Sequence, residues 1–376
     1  MPHHHTWQSG LLRAWQRRGW LARVLWPLSV VYKMLWLLRE WRHRVGPTPP
    51  ALPVPLVVVG NVVVGGAGKT PTTIALVQHW QRQGRRPGVV SKGHGRRPPA
   101  GQRDVPLLVH GQSPATQVGD EPLLIHQATG VPVVVGPERT ASAQYLLEQH
   151  PQVDVLVCDD GLQDPTLRPQ VRVLVFDDRG VGNGWLLPAG MLRQPWPSTT
   201  ARHGDVALFA PSDTQKQPSE TTAAPPLPPG MPLFRARRTL AHMARNAQGQ
   251  QVALDALLDG SPAHALAGIA RPEAFFEMLR ARGARLTRTW ALNDHQVFDS
   301  DFNSKLFNQI KRERLFLTEK DAVKLFPLLA PASADTTDHT PATVQGWAVP
   351  LVLEPEPSFF AAIDARLSSP HGPQTA

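Results

Sequence analysis

The chain has one cysteine in 376 residues, Cys158, which excludes an internal disulfide framework and fits a reducing compartment, with the cytoplasm as default. Acidic side chains are almost missing from its front: residues 1–44 hold only Glu40 against eight Lys/Arg, a net of +7. The rest carries 31 basic and 29 acidic side chains, a net of only +2. The total of +9 is therefore local and does not make the body a nucleic-acid binder. Also missing is an uninterrupted apolar run of about 20 residues, the length of a membrane-spanning helix. Val24 to Leu38 gives fifteen, interrupted by Lys33, with a kink expected at Pro27. No small-residue cleavage site follows that run, only "REWRHRVGPTPP", which argues against a secretory signal. No internal repeat is evident.

What the front end does hold is tryptophan. Six of the eleven, Trp7, Trp15, Trp20, Trp26, Trp36 and Trp41, fall in the first 41 residues. Trp favours the level of lipid headgroups because its ring is apolar while its N–H still needs a partner. Interleaved Arg and Lys add attraction to anionic lipid, roughly 1 kcal/mol each near the surface. The combination predicts a helix lying in the membrane interface or dipping into one leaflet. The competing reading is an amphipathic helix packed on its own domain. His3, His4 and His5 are too few and too terminal for a metal site.

After the proline-rich hinge Val45–Pro55, strand and helix signals alternate. Leu56–Val59 reads as a buried strand and Pro71–Gln83 as a helix closed by Gly84. Gly88–Ser91, Val131–Val135, Val153–Cys158 and Val171–Phe176 read as further strands, with helical patterns between most of them. This rhythm predicts a doubly wound, largely parallel α/β sheet. Pro211–Pro232 turns to Pro, Ser, Thr and Ala and reads as a linker or surface insertion. Beyond it "AHALAGIA", "PEAFFEMLRARG" and "ERLFLTEKDAVKL" repeat strand, helix, then strand and helix, while Ala330–Thr343 is loop-like. The expected organisation is a membrane-associated helical segment (1–46), a larger doubly wound α/β domain (47–210), the linker (211–232), a smaller α/β domain (233–350), and a C-terminal strand, helix and tail (351–376).

Between the first strand and helix lies "GNVVVGGAGKTP". Glycines at a helix N-terminus let backbone N–H groups surround phosphate oxygens, and the helix dipole favours the negative charge. Gly65, Gly66, Ala67 and Gly68 would form this cradle. Lys69 would reach the β- and γ-phosphates of ATP, and Thr70 would offer its hydroxyl to Mg²⁺. The usual pattern asks for glycine at position 63, and this chain has Val63. Partitioning-type membrane ATPases carry an extra lysine ahead of the glycines, where this chain has Val64, which counts against a regulatory switch ATPase. "VDVLVCDDG" ends an apolar strand in Asp159 and Asp160, placed to hold Mg²⁺ or its water.

Read in order, "GNVVVGGAGKTP", "GVVSKGHG", "GDEP", "DDGLQD", "RGVGNGWLLPAGMLRQP", "AGIARPEAFF", "NDHQVF" and "LTEKDAVKL" resemble the tetraacyldisaccharide 4'-kinases, the lipid A 4'-kinases of Gram-negative bacteria. The resemblance spans about residues 56–325. It implies ATP-dependent phosphorylation of the 4'-hydroxyl of a tetraacylated glucosamine disaccharide 1-phosphate, at the cytoplasmic face of the inner membrane. A P-loop kinase whose acceptor never leaves the bilayer would account for the greasy, basic front end. The resemblance also implies that Asp120 of "GDEP" is the base and that His295 of "NDHQVF" pairs with it. From the residues alone, Asp120 reads equally well as a helix N-cap and His295 as a solvated loop residue. The chain departs from the family's "DDGFQH" at Asp164, and from its "SRGYG" at Lys92 and His94, where a point charge replaces a bidentate fork. Arg139 and Arg193 match family positions that could hold the acceptor phosphate. Glu319, Lys320 and Asp321 read as helix-start charge and loop anchoring. The alternatives are a membrane-surface regulatory P-loop ATPase and a soluble small-molecule kinase whose front helix packs at home.

Overall fold

A computed structural model describes residues 15–368 except 48, 99–100, 102, 199–200, 212–223, 270, 293–305, 307–308, 311–312 and 330–344. The first long element is helix α1 (Trp20–Val45), continuous through Pro27. Then come β1 (Leu56–Gly60), α2 (Lys69–Arg82), β2 (Pro87–Ser91), β3 (Leu107–Leu108), α3 (Ala115–Val118), α4 (Asp120–Thr129), β4 (Val133–Val135), α5 (Arg139–Gln149), β5 (Val155–Asp159) and β6 (Val171–Phe176). They are followed by β7 (Asp205–Phe209), β8 (Leu233–Leu240), β9 (Met243–Asn246), β10 (Gln251–Ala253), α6 (Leu254–Leu257), β11 (Pro262–Ala267), α7 (Pro272–Ala281) and β12 (Arg285–Ala291). The described chain ends with β13 (Arg314–Thr318), α8 (Glu319–Leu329), β14 (Gln345–Val349), β15 (Leu351–Pro355) and α9 (Pro357–Ser368).

Nine strands form the larger sheet in the order β15-β8-β7-β6-β1-β5-β2-β4-β3, parallel except at the two edge pairs β15–β8 and β3–β4. β1 and β5 are buried throughout, as a parallel strand covered on both faces must be. Alternate residues serve opposite layers. Val57 and Val59 pack with Leu76, Val77 and Trp80 of α2, whereas Leu56 and Val58 pack with Leu146 of α5. The strand order reverses about β1, with β5 on one side and β6 on the other. Such a switch point opens a crevice at the carboxyl ends of the strands. The register aligns Val59 with Asp159, so the loop after β1 and the end of β5 leave the sheet side by side.

The smaller sheet has six strands in the order β10-β9-β14-β13-β11-β12, parallel from β14 to β12. Sequence placed residues 233–350 in the smaller unit, but Leu233–Leu240 hydrogen-bonds to β7 and β15 in the larger sheet. The chain crosses out after β8 and returns through β15, so two adjacent antiparallel strands join the lobes. Helix α9 then closes the larger core with Phe359 and Ile363. Asp364 ties it to α2 by accepting from His79 Nε2 (2.8 Å), Trp80 Nε1 (2.9 Å) and Gln83 Nε2 (3.0 Å).

Helix α1 is inside out by the standard of a soluble domain. Its small and polar groups face the protein: Ser29 Oγ donates to the Leu186 carbonyl (2.8 Å) and accepts from Ala189 N–H (3.0 Å), and Tyr32 Oη donates to the Arg193 carbonyl (2.8 Å). Arg39 donates to the Gln163 carbonyl, and Glu40 pairs with Arg202. The apolar residues face outward. Apart from Val105 and Met243, every exposed large hydrophobic among the described residues lies on this helix, with Trp20 77% and Met34 67% exposed. It is the one described helix long and apolar enough to cross a membrane.

Candidate active site

Val63, the residue standing where the phosphate-loop pattern asks for glycine, is fully buried. It forms a bridge with Leu192, while Val64 N–H donates to the Met191 carbonyl at 2.9 Å. The first part of the loop is thus held as an extended strip against residues 191–193, a conformation that valine favours. The turn itself begins at Gly65 (φ +90°) and closes at Gly68 (φ +103°), the left-handed cap of α2.

Two arginines take the loop's carbonyls. Arg179 donates to Gly66 O at 2.9 Å and Val64 O at 3.4 Å, and is itself held by the buried Asp177 at 2.8 Å. Arg238, reaching in from the strand that joins the lobes, donates to Ala67 O at 2.9 Å. A trans peptide points each carbonyl opposite to the next N–H. The N–H groups of Gly65 and Ala67 therefore point away from Arg179, and that of Gly68 points away from Arg238. A side chain at either turn glycine would collide, since its Cβ would lie 2.9 Å from Arg179 Nη1 at position 65 or 3.0 Å from Arg238 Nη2 at position 68.

Lys69 and Thr70 open α2, both largely buried. Lys69 Nζ donates to Asn61 Oδ1 (3.3 Å) and lies 3.6 Å from Asp160 Oδ1. Asp159, the last residue of β5, is fully buried; Thr73 Oγ1 donates to its Oδ1 at 3.1 Å, and its Oδ2 has no hydrogen-bond partner. Burial, reinforced by the nearby Glu121 and Asp160, pushes the Asp159 carboxyl up to about 7. Burial opposes ionisation of Asp160 too, but Lys69, Arg193 and Arg139 outweigh it and hold that carboxyl below its usual range. Asp160 adopts φ +54°, the one described non-glycine residue in the left-handed region. Adjacent carboxylates thus have opposite tendencies, one protonatable near neutrality and one firmly charged.

Arg193 donates to Asp160 (3.3 Å), and Arg139 donates to the Asp160 carbonyl (2.6 Å) and to Asp164 (2.9 Å). Neither is a free surface arginine. Asp164, a departure from the resembled pattern, is built into this pair and further fixed by Thr166. Lys92 and His94 flank Gly93 on the loop after β2. Gly93 packs against Gly119 at the start of α4, where a Cβ on Gly119 would stand 3.1 Å from Gly93 Cα.

Asp120 is the first residue of α4, not its cap: Gly119 holds that position with φ +93°, and no side chain caps the helix. Its carboxylate meets Lys324 Nζ of α8 at 2.7 Å, and the adjacent Glu121 meets Lys320 Nζ at 3.2 Å. Glu121, Gly66, Gly68, Lys69, Thr70 and Lys320 line one cleft between the lobes. Lys320, expected to be loop anchoring, instead bridges the lobes. Asp321 does anchor a loop, accepting from Gly268 N–H (2.8 Å) and Thr318 Oγ1 (2.6 Å). Burial pushes Glu319 up to about 7. His295 lies outside the described residues.

Sequence reasoning missed Arg179, Arg238, Asn61 and Lys324. The four-residue spacing of Lys320 and Lys324 on one helix was a usable signal. The arginine contacts, 113 and 171 residues from their acceptors, had none.

Residues 21–368 match the model of the tetraacyldisaccharide-1-P 4'-kinase family. This chain belongs to that family. It is 46% identical over 373 residues to the tetraacyldisaccharide 4'-kinase of Polaromonas naphthalenivorans (strain CJ2), covering 97% of this chain and 98% of that one. It is also 46% identical over 368 residues to the enzyme of that name from Acidovorax ebreus (strain TPSY), covering 95% and 94%. The fold is that of the LpxK crystal structure from Aquifex aeolicus in complex with ATP, with a TM-score of 0.69 over 92% of this chain and 99% of the other at 23% identity. As a member of the 4'-kinase family the chain is a P-loop kinase, with a mainly parallel sheet and a second, smaller α/β lobe.

Proposed function

We propose that this protein transfers the γ-phosphoryl group of ATP to the 4'-hydroxyl of a tetraacylated glucosamine disaccharide 1-phosphate, working at the membrane surface. One observation carries this reading: a glycine-rich phosphate loop and Lys69 share an interlobe cleft with the start of α4, where Asp120 and Glu121 stand. Phosphoryl transfer asks a protein mainly to position groups and to neutralise charge. The amides of Gly65, Ala67 and Gly68 and the Lys69 ammonium would bind the phosphates. Asp120 would accept the proton of the 4'-hydroxyl as its oxygen bonds to the γ-phosphorus and the bond to the bridging oxygen of ADP breaks. His295 would orient that carboxylate.

Among the described residues no three His, Cys, Asp or Glu side chains converge on one point. A kinase magnesium does not need them, since it is held by one or two protein oxygens and the nucleotide phosphates. Thr70 at the loop's end, with Asp159 Oδ2 buried and unpartnered close by and Asp160 next to it, is an all-oxygen donor set that fits this cation. When bound, Mg²⁺ would neutralise developing phosphate charge, and its own charge would favour the ionised form of Asp159.

The disposition of α1 supports docking on a membrane surface, and the need for ATP would make that the cytoplasmic face of the inner membrane. It is fastened to the body at Ser29, Tyr32, Arg39 and Glu40, so this stretch lies along the protein and offers its apolar face outward. A helix so held suits the interface better than a span. The contacts run from Tyr32 to the Arg193 backbone, from the Arg193 side chain to Asp160, and from Asp160 to Lys69, setting the lipid-facing helix beside the phosphate loop. The test supplies labelled ATP, Mg²⁺ and the disaccharide 1-phosphate lipid in detergent micelles. A bis-phosphorylated lipid is expected, and it should be abolished by Lys69→Ala and severely reduced by Asp120→Ala and His295→Ala. ATP hydrolysis with no lipid product would replace this reading with a regulatory ATPase.

A further inference from the structure

The ion pair between Asp120 and Lys324 crosses the lobe boundary. Their atoms stand 2.7 Å apart, and each side chain is only 13% exposed. A pair this short and shielded is charge-assisted and weakly screened. Lys320 and Lys324 lie one turn apart on α8 and therefore share a face. They meet the consecutive carboxylates of Glu121 and Asp120. We propose that Lys324 is a positioning residue for catalysis: from across the lobe boundary it holds the Asp120 carboxylate in its charged form and in place at the start of α4. This rests on the reading of Asp120 as base.

Among the described residues packed on α4, Lys324 meets the Asp120 carboxylate directly. Of the elements packed on α4, α3 and β4 carry no ionisable side chain. From α2 comes Lys69, which is engaged by Asn61 and Asp160; His79 and Arg82 lie in its last turn. The loop against Gly119 brings Lys92 and His94. From α8, Asp321 faces Gly268 and Thr318, and Lys320 faces Glu121. Glu121, beside Asp120 on its own helix, adds repulsion that disfavours a second charge there. A base must be ionised to take a proton, and the Lys324 ammonium favours that form of Asp120 until the acceptor hydroxyl arrives.

The test is steady-state kinetics of the full chain in detergent micelles from pH 5.5 to 9, for the native protein and for Lys324→Met, Lys324→Gln, Lys324→Arg and Asp120→Asn. Removing an opposite charge at this distance is expected to move the acid limb of kcat upward by about 1–2 pH units. Lys324→Met should therefore lose about 10- to 100-fold in kcat at pH values below the native limb, recover it above the shifted limb, and keep the KM for ATP within about twofold. Lys324→Arg should restore the native limb. Should Lys324→Met fail to fold, Lys324→Gln against Lys324→Arg gives the same comparison. An unchanged kcat, or a loss equal at every pH and not rescued by arginine, overturns the proposal while leaving the kinase reading intact. Full activity in Asp120→Asn overturns the base assignment and this proposal with it.

Discussion

Replacing Arg238 by methionine separates nucleotide binding from folding more cleanly than any other change at the phosphate loop. Arg238 makes one hydrogen bond, Nη2 to Ala67 O at 2.9 Å, and its buried Nε has no partner. Burial lowers its pKa, with Asp177 opposing, so it is a charge kept at the loop against its own preference. Arg179 would be a poorer probe. Its removal strands the buried Asp177 carboxylate, and an uncompensated buried charge costs about 3–5 kcal/mol of stability. Losing the Arg238 bond costs loop order and local positive potential, and a hydrogen bond from a charged donor is worth about 1.5–3 kcal/mol. That corresponds to roughly 10- to 150-fold weaker ATP binding at about 1.4 kcal/mol per decade. Methionine refills the volume without stranding a partner charge, so the melting temperature should move by less than about 4 °C. Isothermal titration with ATP and Mg²⁺, paired with calorimetric melting, reads both quantities. Native-like affinity with a large fall in melting temperature would refute the role of Arg238 in holding the loop.

Two further outcomes follow from the fold. Asp364→Ala removes three hydrogen bonds that fasten α9 to α2 and should cost about 1–3 kcal/mol at neutral pH. Burial resists ionisation of Asp364, but His79, Trp80 and Gln83 prevail and hold its pKa below 3.8. A folded value below the unfolded one stabilises above the unfolded pKa and is lost as pH falls through the folded one. The gap in melting temperature between mutant and native protein should therefore narrow as the pH falls below the usual carboxylate range, and a gap that widens there would contradict the assignment. Deleting residues 1–45 removes α1 and its apolar face. The truncated protein should leave vesicles and lose at least about tenfold of its activity on bilayer-held lipid, while binding ATP within about threefold of the native value. Turnover equal to native would favour a soluble kinase.

The strand, loop and helix from Leu56 to Arg82 were legible because every determinant is local: an apolar run, glycines at the turn, an amphipathic helix. Helix α2 begins at Lys69 rather than Pro71 because Gly68 supplies the left-handed cap. The carboxylates Asp159 and Asp160 were legible for the same reason, standing at the end of a buried strand. Val63 looked like a flaw in the pattern, and its bridge to Leu192, 129 positions away, explains it. Contacts of that range leave no local trace, and the clamps by Arg179 and Arg238 on backbone carbonyls are of the same kind. The front helix was read as a fifteen-residue apolar run with a kink expected at Pro27, whereas it runs 26 residues, Trp20–Val45, through that proline. Which face it turns to the body depends on Ser29 and Tyr32 finding carbonyls at Leu186 and Arg193, which spacing alone does not reveal. Asp120 was ambiguous between cap and base. The structure removes the cap reading by putting Gly119 in that position and Lys324 on the carboxylate.

On the proposed mechanism Asp120 takes the proton of a lipid-borne hydroxyl while ATP sits in the adjacent loop. Single-turnover transfer from preloaded ATP to the disaccharide 1-phosphate lipid, in native protein and in Asp120→Asn, tests it directly. The account predicts native ATP affinity in the variant with transfer slowed at least about 100-fold, the range of a lost general base. Transfer at the native rate by Asp120→Asn would contradict it.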